Sequence, residues 1–476
     1  MSHDLSSLIK AYDVRGTVPD PFSPEVAEAV GAAFARMVVL PGGHTEVVIG
    51  NDMRETGPAL VEAFTRGLTD AGVSVILIGL TSTDGLYYAS GTLDLPGAMF
   101  TASHNPAQYN GIKMCHPGAR PVGENSGLAE VRSTAQHYLN SSLPTPVPAA
   151  QRGTVRTEDL MSGYAAFLRS LVPLSGIRPL KVVIDAGNGM GGFIVPLVLG
   201  TAAGLPELPL EIVPLYFELD GNFPNHEANP LDPANIVDLQ AAVVAHGADL
   251  GIAFDGDADR CFFVDETGRA VSGSAVTTLV GLRELAKEQA AGREATIIHN
   301  LITSKAVPEM LNAAGARTVR TRVGHSFIKA QMAAENAVFG GEHSAHYYYR
   351  DFWFADTGML TALHVLAALG TAQGNMSDLA LMYEPYAASG EINSTVADVE
   401  RATARVVEAY RRAYPEVVLD HLDGVTVSHW DVPGGPRWWF SLRPSNTEPL
   451  LRLNVEAADE DVMEKVRDDV LSLIRA

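Results

Sequence analysis

Three stretches of the chain begin alike, and this pattern constrains the fold more than any other feature. In each, a run of β-branched residues stops at a polar or glycine turn, and helix-like sequence follows. The runs occupy residues 47–49, 182–184 and 297–298. A continuous apolar run of this kind is typical of a strand that is buried on both faces. The sequence therefore predicts three related α/β units.

The sequence between and after these runs predicts helices and a different C-terminal end. Ser23 suits an N-cap, and Pro24 suits the first helical position after it. Towards the end of the chain, a helix is predicted near residues 400–414, followed by strand-like stretches. The last helix is predicted to carry one apolar stripe, formed by Val462, Val466, Val470 and Ile474. This end is typical of a smaller α+β domain.

Composition and charge limit the classes of partner. The chain has 476 residues, of which 46% are hydrophobic, and its formal net charge is −22. A broad nucleic-acid surface needs a basic face, so we expect no nucleic-acid partner. A small anionic substrate remains open, because salt screens distant acids beyond about 8 Å. Two cysteines, no apolar leader and no run of roughly 20 apolar residues predict a cytoplasmic protein without a membrane partner.

The stretch LGIAFDGDADRCFFVDE holds three alternating carboxylates, Asp255, Asp257 and Asp259. Carboxylates this close repel one another unless a cation joins them, and oxygen ligands suit Mg²⁺ or Ca²⁺. The apolar flanks predict strands, so the acidic residues lie on a short loop between buried strands. Arg260, directly after them, offers a positive fork for a phosphate.

Two other interpretations of this acidic loop remain open. An EF-hand loop would have Glu266 at its twelfth position, but Arg260 occupies the sixth, where that loop needs glycine. The flanks also read as strands, whereas an EF-hand needs helices. A solvated acidic turn is the other alternative. We favour a metal, because a short loop between buried strands is a poor place for unused charge.

The stretch RPSNTEP has the chemistry of an anion-binding turn. Arg443 offers a bidentate fork, and Ser445, Asn446 and Thr447 offer hydroxyl, amide and backbone donors. A polar turn between two strands would look similar. The stretch differs from a Walker A loop, so it does not imply a nucleotide.

The stretch GGEHSAH alternates Glu342, Ser344 and His346, which would share one face of an extended segment. Such acceptors and donors suit sugar hydroxyls. His343 with His346 is an alternative zinc pair, but no cysteine or clear third ligand is near in the sequence. Two other polar residues stand beside a glycine: His325 follows one in VGHSFIK, and Arg15 precedes one in YDVRG. For each, both a structural and a functional role remain open.

Ser103 in TASHNPAQYNGIK is a candidate phosphate carrier. Side chains of adjacent residues point apart in an extended segment, so we expect no catalytic pair of Ser103 with His104. The chain also has no G-x-S-x-G nucleophile elbow around this serine. A serine without its own base is a poor nucleophile at neutral pH, but a phosphoserine needs no such activation. It needs a divalent cation and arginines, which DGDADR and RPSNTEP would supply.

Together these stretches resemble the α-D-phosphohexomutase superfamily, and within it the bacterial phosphomannomutase/phosphoglucomutase group. TASHNP resembles the family's phosphoserine loop, DGDADR its metal loop, GEHSAH its sugar-binding loop and RPSNTEP its phosphate-binding loop. The stretches YDVRG, NPAQYNGIK, DGNFPNHEANP and VGHSFIK also match. The motifs occur in the family's order, and the match covers most of the chain.

The resemblance implies roles for individual residues. Ser103 would be the phosphoserine, and one of its oxygens would complete a Mg²⁺ site. The metal would be held by Asp255, Asp257 and Asp259. Sugar hydroxyls would contact Glu342 and Ser344, and the phosphate that is not transferred would be held by Arg443, Ser445, Asn446 and Thr447. The reaction centre would be lined by Arg15, His104, Lys113, Arg260 and His325, with Lys113 or His325 in general acid/base work.

The resemblance also implies a fold and a reaction. The fold would have three similar mixed α/β domains around a central cleft and a C-terminal α+β domain of the TATA-binding-protein-like type. The corresponding predicted boundaries are 1–150, 151–270, 271–378 and 379–476. The reaction would pass through a hexose 1,6-bisphosphate, which must turn round, so we expect a mobile C-terminal domain. The enzyme would be a monomer or a homodimer.

The sequence departs from the family pattern at two places. His343 and Ala345 stand where many members have methionine and glycine, and Ile302 stands where some have a lysine, with Lys305 one turn further on. These departures bear on the sugar preferred. We expect a phosphomannomutase that also accepts glucose phosphates. The alternatives are a phosphoglucomutase, a phosphoglucosamine mutase, a Mg²⁺-dependent phosphatase and a sugar-phosphate-binding or regulatory protein.

Overall fold

The computed structural model describes residues 4–10, 12–444 and 450–476, except for the side chains of 325 and 326. The chain divides into two compact units. The first comprises Met1–Val271, Met332–Phe339 and Ser344–Ser377, and the second Ser272–Gln331, Gly340–His343 and Asp378–Ala476.

The N-terminal part of the first unit is a mixed sheet with helices. Its strands are β1 (Val14–Thr17), β2 (Glu46–Asn51), β3 (Ser74–Leu80), β4 (Gly97–Phe100), β5 (Tyr109–His116), β6 (Arg120–Pro121) and β7 (Val155–Thr157). Its helices are α1 (Pro24–Phe34), α2 (Gly57–Asp70), α3 (Thr83–Leu93) and α4 (Leu128–Asn140). The strand order is β1-β5-β4-β2-β3-β7, with β6 on β5. The Ser23 hydroxyl caps α1 by accepting a hydrogen bond from the Val26 amide, as predicted.

A second sheet in the same unit carries the acidic loop. Its strands are β8 (Leu180–Asp185), β9 (Leu210–Leu215), β10 (Leu250–Phe254), β11 (Cys261–Asp265) and β12 (Ala270–Val271), and its helices are α5 (Met161–Leu171), α6 (Gly191–Val198) and α7 (Val237–His246). The strand order is β12-β11-β10-β8-β9, and β8 is parallel to both β9 and β10. The antiparallel pair β10–β11 encloses residues 255–260, so the predicted flanking strands are confirmed.

Residues 272–383 form a further α/β stretch. The elements are α8 (Gly273–Ala290), β13 (Thr296–Asn300), α9 (Ala306–Ala313), β14 (Arg317–Thr321), α10 (His325–Glu335), β15 (Phe339–Gly341), β16 (Tyr347–Tyr349), β17 (Ala355–Asp356), α11 (Gly358–Thr371) and α12 (Met376–Tyr383). Strand β13 is parallel to β14, and β16 is antiparallel to β17. Ile297 and Ile298, the third β-branched run, are fully buried in β13.

The C-terminal part is an antiparallel sheet with two helices. Its elements are β18 (Ala387–Thr395), α13 (Val399–Ala413), β19 (Val418–Asp420), β20 (Val425–Ser428), β21 (Trp438–Pro444), β22 (Leu450–Ala457) and α14 (Glu460–Arg475). The strand order is β18-β22-β21-β20-β19. This confirms the α+β prediction and the helix near residues 400–414. The stripe of α14 buries Val466, Val470 and Ile474, but Met463 replaces Val462 as its first buried member.

Among the described residues, no helix is both long enough and apolar enough to cross a bilayer.

Candidate active site

The loop that carries Ser103 is pressed against the acidic loop. Ser103 has φ of 49°, in the left-handed region, and is 5% exposed. Its amide donates to the Thr101 hydroxyl at 2.9 Å. A Cβ added to Gly256 would lie 2.4 Å from the Ser103 carbonyl oxygen. Only a glycine therefore permits this approach of the two loops.

A buried arginine fixes the shape of the serine loop. The Arg54 guanidinium donates to the carbonyl oxygens of Ser103 at 2.9 Å and Asn105 at 2.7 Å. It also donates to those of Pro106 and Tyr109, at 2.9 and 2.8 Å. An arginine has five N–H donors in a rigid fork, so one side chain can hold four backbone carbonyl groups of the same loop.

Arg15 approaches the same loop from β1. Its guanidinium donates to the Ala102 carbonyl oxygen at 3.1 Å and to the Asn105 side-chain oxygen at 2.6 Å, and it pairs with Asp13. The structure thus places the predicted Arg15 beside Ser103, where its charge can reach an anion on that serine.

The relation between Ser103 and His104 differs from the expectation. We expected the two side chains to point apart, but Ser103 Oγ lies 3.2 Å from His104 Nδ1. The expectation assumed an extended backbone, and it is wrong because the positive φ at Ser103 turns the two side chains to one side.

His104 is nevertheless a weak base in this setting. Its Nδ1 accepts a hydrogen bond of 2.6 Å from the Arg260 guanidinium, which can only donate. Burial, together with the charges of Arg260 and Arg15, lowers the pKa of His104 to about 3. The Ser103 hydroxyl donates instead to Asp255 Oδ2 at 2.9 Å. These contacts argue against a serine hydrolase pair.

The three carboxylates of the acidic loop converge and are buried. One oxygen each of Asp255, Asp257 and Asp259 lies within 4.8 Å of the others. Oδ1 of Asp257 and Oδ1 of Asp259 are buried and accept no hydrogen bond from any residue that the structure describes. Buried carboxylate oxygens without donors suit a hard cation, so these residues fit Mg²⁺.

Two cations also reach these carboxylates. Lys113 Nζ donates to Asp257 Oδ2 at 2.7 Å and to Asp259 Oδ2 at 2.6 Å. The Arg260 guanidinium donates to Asp255 Oδ2 at 2.9 Å, and the Arg260 amide donates to Asp255 Oδ1 at 3.1 Å. The predicted Lys113 and Arg260 are therefore brought together with the predicted metal ligands.

The protonation states follow from this pairing. Burial raises the pKa of Asp255, against the attraction of Arg260 and with the repulsion of its two neighbours. Burial and Asp259 also oppose ionisation of Asp257, but Lys113 outweighs them and the pKa of Asp257 falls below its ordinary value. Burial disfavours the Lys113 ammonium, yet the two carboxylates raise its pKa well above the ordinary value. Lys113 is thus a cation at neutral pH.

The N-terminus of α3 supports the acidic loop. The Thr83 amide donates to the Asp257 carbonyl oxygen at 3.1 Å, and the Thr83 hydroxyl donates to the Asp257 carboxylate. The next residue, Asp84, is fully buried and accepts from Ser82, Tyr164 and Thr357. Burial raises the pKa of Asp84 to about 6, although those three hydroxyls lower it.

The end of the sugar-loop motif lies near Asp259. His346 Nε2 is 4.0 Å from Asp259 Oδ1, and the Ser344 hydroxyl is 3.4 Å from His346 Nδ1. Asp356 lies near both of these side chains. One possible ligand atom each of Asp259, His346 and Asp356 lies within 4.8 Å of the other two, so the three residues could bind one metal ion. Asp356 is the acidic neighbour of His346 that the sequence did not reveal, because it lies on the next strand.

Glu342 belongs to the second unit and is 2% exposed. Its Oε1 accepts from the Gly324 amide at 3.2 Å and from the Asn300 side-chain amide at 3.4 Å. These donors fix the carboxylate at the end of β13. His343 in the same unit lies 3.2 Å from the Ser274 hydroxyl.

Arg443 lies at the end of β21 in the second unit. Its guanidinium is 3.2 Å from Glu391 Oε2 and 3.8 Å from Asp423 Oδ2, and burial lowers its pKa. Ser445, Asn446 and Thr447 lie outside the described residues, and so does the side chain of His325.

Sequence reasoning missed Arg54, Thr83 and Asp84. Arg54 had one signal, because a charged residue a few positions beyond the end of a buried parallel strand lies at the edge of the sheet where sites form. Asp84 had no such signal, since two of its three partners, Tyr164 and Thr357, come from distant parts of the chain.

Comparison with known proteins places the chain in a family. Four models for phosphoglucomutase/phosphomannomutase match it: alpha/beta/alpha domain I at 6–139, domain II at 162–268, domain III at 273–386 and the C-terminal domain at 391–473. The chain belongs to the phosphoglucomutase/phosphomannomutase family. It is therefore an isomerase, a mutase that moves a phosphoryl group on a hexose phosphate, and the predicted fold class is confirmed.

Relatives and solved structures agree with this family. The chain is 40% identical over 469 residues to a protein of Xanthomonas campestris pv. campestris named phosphohexose mutases, covering 98% of each chain. It is 37% identical over 468 residues to a phosphomannomutase of Escherichia coli K12, again covering 98% of each. A phosphoglucomutase/phosphomannomutase family structure from Burkholderia thailandensis is 27% identical, with a TM-score of 0.84 over 99% of this chain and 98% of that one.

Proposed function

We propose that this phosphohexomutase interconverts mannose 6-phosphate and mannose 1-phosphate and also accepts glucose phosphates. The observation that carries the proposal is the hydrogen bond of 2.9 Å from Ser103 to Asp255. It sets the hydroxyl that would bear the phosphoryl group against the carboxylates that would hold a cation. Relatives named phosphomannomutase at 37–38% identity support mannose as the preferred sugar.

Asp255, Asp257 and Asp259 would hold Mg²⁺, with an oxygen of phospho-Ser103. A divalent cation there supplies charge neutralisation for the phosphoryl oxygens. Arg260 and Arg15, which lie against the serine loop, would neutralise charge on the same oxygens from other sides. His104 would act as a neutral side chain that positions Arg260.

The proposed reaction moves one phosphoryl group at a time. The bond between phosphorus and Ser103 Oγ breaks as a bond forms to the free hydroxyl oxygen of the sugar, whose proton passes to a base. The resulting hexose 1,6-bisphosphate turns round and returns its other phosphate to Ser103. Lys113 or His325 would exchange the proton. Lys113 holds a proton at neutral pH that could pass to the leaving sugar oxygen, but its raised pKa makes it a weaker acid than an ordinary lysine.

The rest of the substrate would be bound by the two remaining motifs. The sugar hydroxyls would be contacted by Glu342, Ser344 and His346. A buried carboxylate and hydrogen-bond donors can distinguish sugars by the positions of their hydroxyls. The phosphate that stays on the sugar would be held by Arg443, Ser445, Asn446 and Thr447. An arginine among hydroxyl and amide donors suits a phosphate at either end of the sugar.

The test of this proposal is the intact mass and activity of Ser103→Ala. We expect wild type to carry a phosphate that the variant lacks, and Ser133→Ala, an exposed serine on α4, to retain it. Full activity of Ser103→Ala with added glucose 1,6-bisphosphate would overturn the proposal. Free phosphate released at the rate of turnover would favour the phosphatase alternative.

Comparison of kcat/KM for mannose 1-phosphate and glucose 1-phosphate decides the sugar. A higher value for glucose would support the phosphoglucomutase alternative, which the broader name of the Xanthomonas relative leaves open. Phosphoglucosamine mutase is the weaker alternative, because GEHSAH lacks the glutamine usual in that group.

Three wider features belong to the same proposal. The enzyme would be cytoplasmic, which its two buried free cysteines suit. It would act as a monomer or homodimer without nucleic acid. Its domains would divide at 1–150, 151–270, 271–378 and 379–476, with the last one mobile during turnover.

A further inference from the structure

The loop after β9, residues 216–230, lies against the buried arginine that shapes the serine loop. It contains the stretch DGNFPNHEANP, to which the reaction proposed above gives no role. A Cβ added to Gly221 would lie 3.0 Å from Arg54 Cα, so the two backbones are in contact. The Arg54 guanidinium lies over the ring of Phe223, with 5.2 Å between Cζ and the ring centroid.

The contact between Arg54 and Phe223 has the geometry of a cation–π interaction. Such interactions extend to about 6 Å from the ring centroid, and they strengthen where water is excluded. Arg54 is 2% exposed, and Phe223 is half-buried. The guanidinium also pairs with Asp52 at 3.3 Å. The ring takes none of the N–H donors as a polar acceptor would, so Arg54 keeps them for the four carbonyl oxygens of the serine loop.

The backbone of Phe223 is in an unfavourable conformation. Its φ is 51°, in the left-handed region that bulky side chains rarely adopt. The Phe223 amide donates to the Asp220 carbonyl oxygen at 3.1 Å, and the Asp220 carboxylate accepts from the Asn222 amide at 2.8 Å. Strained residues of this kind persist where surrounding contacts impose them, and they cluster at functional sites. The loop therefore imposes the position of the ring.

The same loop is anchored to a segment that also holds the acidic loop. The Asn188 side chain donates to the Glu218 carbonyl oxygen at 2.8 Å, and the Asn188 carbonyl oxygen accepts from the Asp220 amide at 3.0 Å. Two residues further on, the Met190 amide donates to the Gly256 carbonyl oxygen at 2.9 Å. One short segment after β8 thus fixes both the loop beneath Arg54 and the loop that would hold the metal.

We propose that Phe223 is a positioning residue for phosphoryl transfer, which acts through Arg54 on the loop that carries Ser103. The ring holds the guanidinium in the direction from which it reaches the Ser103 carbonyl oxygen. It thereby sets the position of Ser103 relative to the carboxylate of Asp255. The inference rests on the proposed function, because it concerns the step in which Ser103 gains or gives a phosphoryl group.

The test measures how fast Ser103 gains a phosphoryl group in the full-length protein. Dephosphorylated protein is mixed with Mg²⁺ and saturating glucose 1,6-bisphosphate, which gives one phosphoryl group to Ser103 Oγ and leaves as a hexose monophosphate. The phosphate gained is followed by intact mass in rapidly quenched samples. Phe223→Leu removes the ring and should slow this step about tenfold.

Two further variants serve as controls. Phe223→Tyr keeps an aromatic face beneath Arg54, so its rate should lie within about twofold of the wild-type rate. Phe217→Leu removes a half-buried ring from the same loop and should react as wild type does. Melting temperatures of all variants show that each protein compared is folded.

A double-mutant cycle distinguishes positioning through Arg54 from a general effect on the loop. Arg54→Lys keeps the charge but lacks the planar fork, so it should slow the step by itself. In that protein, Phe223→Leu should slow the step by less than about twofold, because no guanidinium remains for the ring to hold. A merely structural role of the ring would give the same slowing in both proteins. If Arg54→Lys does not fold, the comparison of the Leu and Tyr variants decides.

A folded Phe223→Leu protein that reacts at the wild-type rate would overturn the inference. So would equal slowing in Phe223→Leu and Phe223→Tyr, or independent effects in the cycle. These outcomes leave the proposed function intact. Wild-type protein that gains no phosphate on Ser103 would instead overturn the proposed function, and the inference with it.

Discussion

Thr357, the N-cap of α11, donates a hydrogen bond of 2.6 Å to Asp84 in the first turn of α3, although 273 residues separate them in sequence. Tyr164 of α5 donates to the same carboxylate at 2.7 Å. One buried group thus joins three helices of the first unit. A Cβ on Gly358, beside Thr357, would lie 2.9 Å from the Ala258 carbonyl oxygen, so α11 also abuts the acidic loop.

The Thr357→Val variant tests this junction. Valine keeps the shape but removes both the donor to Asp84 and the cap on the Leu360 amide. We expect the free energy of unfolding, measured in urea, to fall by about 1–3 kcal/mol. Thr371→Val, at the exposed end of the same helix, should change it by less than about 0.5 kcal/mol. Equal effects of the two changes would contradict the role given to Asp84.

Asp84 should also make stability depend on pH. Its folded pKa is raised to about 6, so protonated Asp84 favours the native state. This stability is fully present below the unfolded pKa and is lost as the pH rises from about 4 through 6. Wild type should lose about 3 kcal/mol relative to Asp84→Asn across that window. The measurement is urea unfolding of both proteins at pH 4 and pH 7.5, and a constant difference would refute it.

The sequence predicted the elements of the site better than their contacts. The flanking strands of the acidic loop and the cap at Ser23 follow from local patterns, and the structure confirms them. The geometry of Ser103 and His104 did not follow, because Ser103 has a positive φ in a loop that packs against the distant Gly256. The residues around Ser103 in the sequence do not predict that distant contact.

Arg54 and Asp84 illustrate the same limit. Arg54 reaches the Ser103 carbonyl across 49 residues of sequence, and Thr357 reaches Asp84 across 273. Each contact depends on how strands and helices pack, which a single sequence does not state. Motif resemblance located residues that would touch substrate, whereas residues that act through others needed coordinates.

In the Lys113→Met variant, the stability of the protein should depend on a cation bound at the acidic loop. Removing the ammonium leaves the buried carboxylates of Asp257 and Asp259 without the cation that pairs with both, at a cost of about 3–5 kcal/mol in metal-free buffer. Mg²⁺ should then raise the melting temperature of the variant more than that of wild type. Lys181→Met, which breaks an exposed pair with Glu211, should show neither effect. A wild-type melting temperature for Lys113→Met in chelator would disprove the account.

Gly256→Ala should lower the activity by displacing the loop that carries Ser103. Comparing activity with melting temperature distinguishes this displacement from a loss of stability. The new Cβ would lie 2.4 Å from the Ser103 carbonyl oxygen, which is backbone held by Arg54 and cannot move freely. A displacement near 1 Å at the reacting group costs about 100-fold, so we expect kcat to fall by that order. Gly57→Ala is the matched control, because its Cβ would meet nothing closer than 3.8 Å. Steady-state kinetics and melting temperatures of both variants make the comparison. If Gly256→Ala keeps wild-type kcat, the close approach of the two loops does not position Ser103.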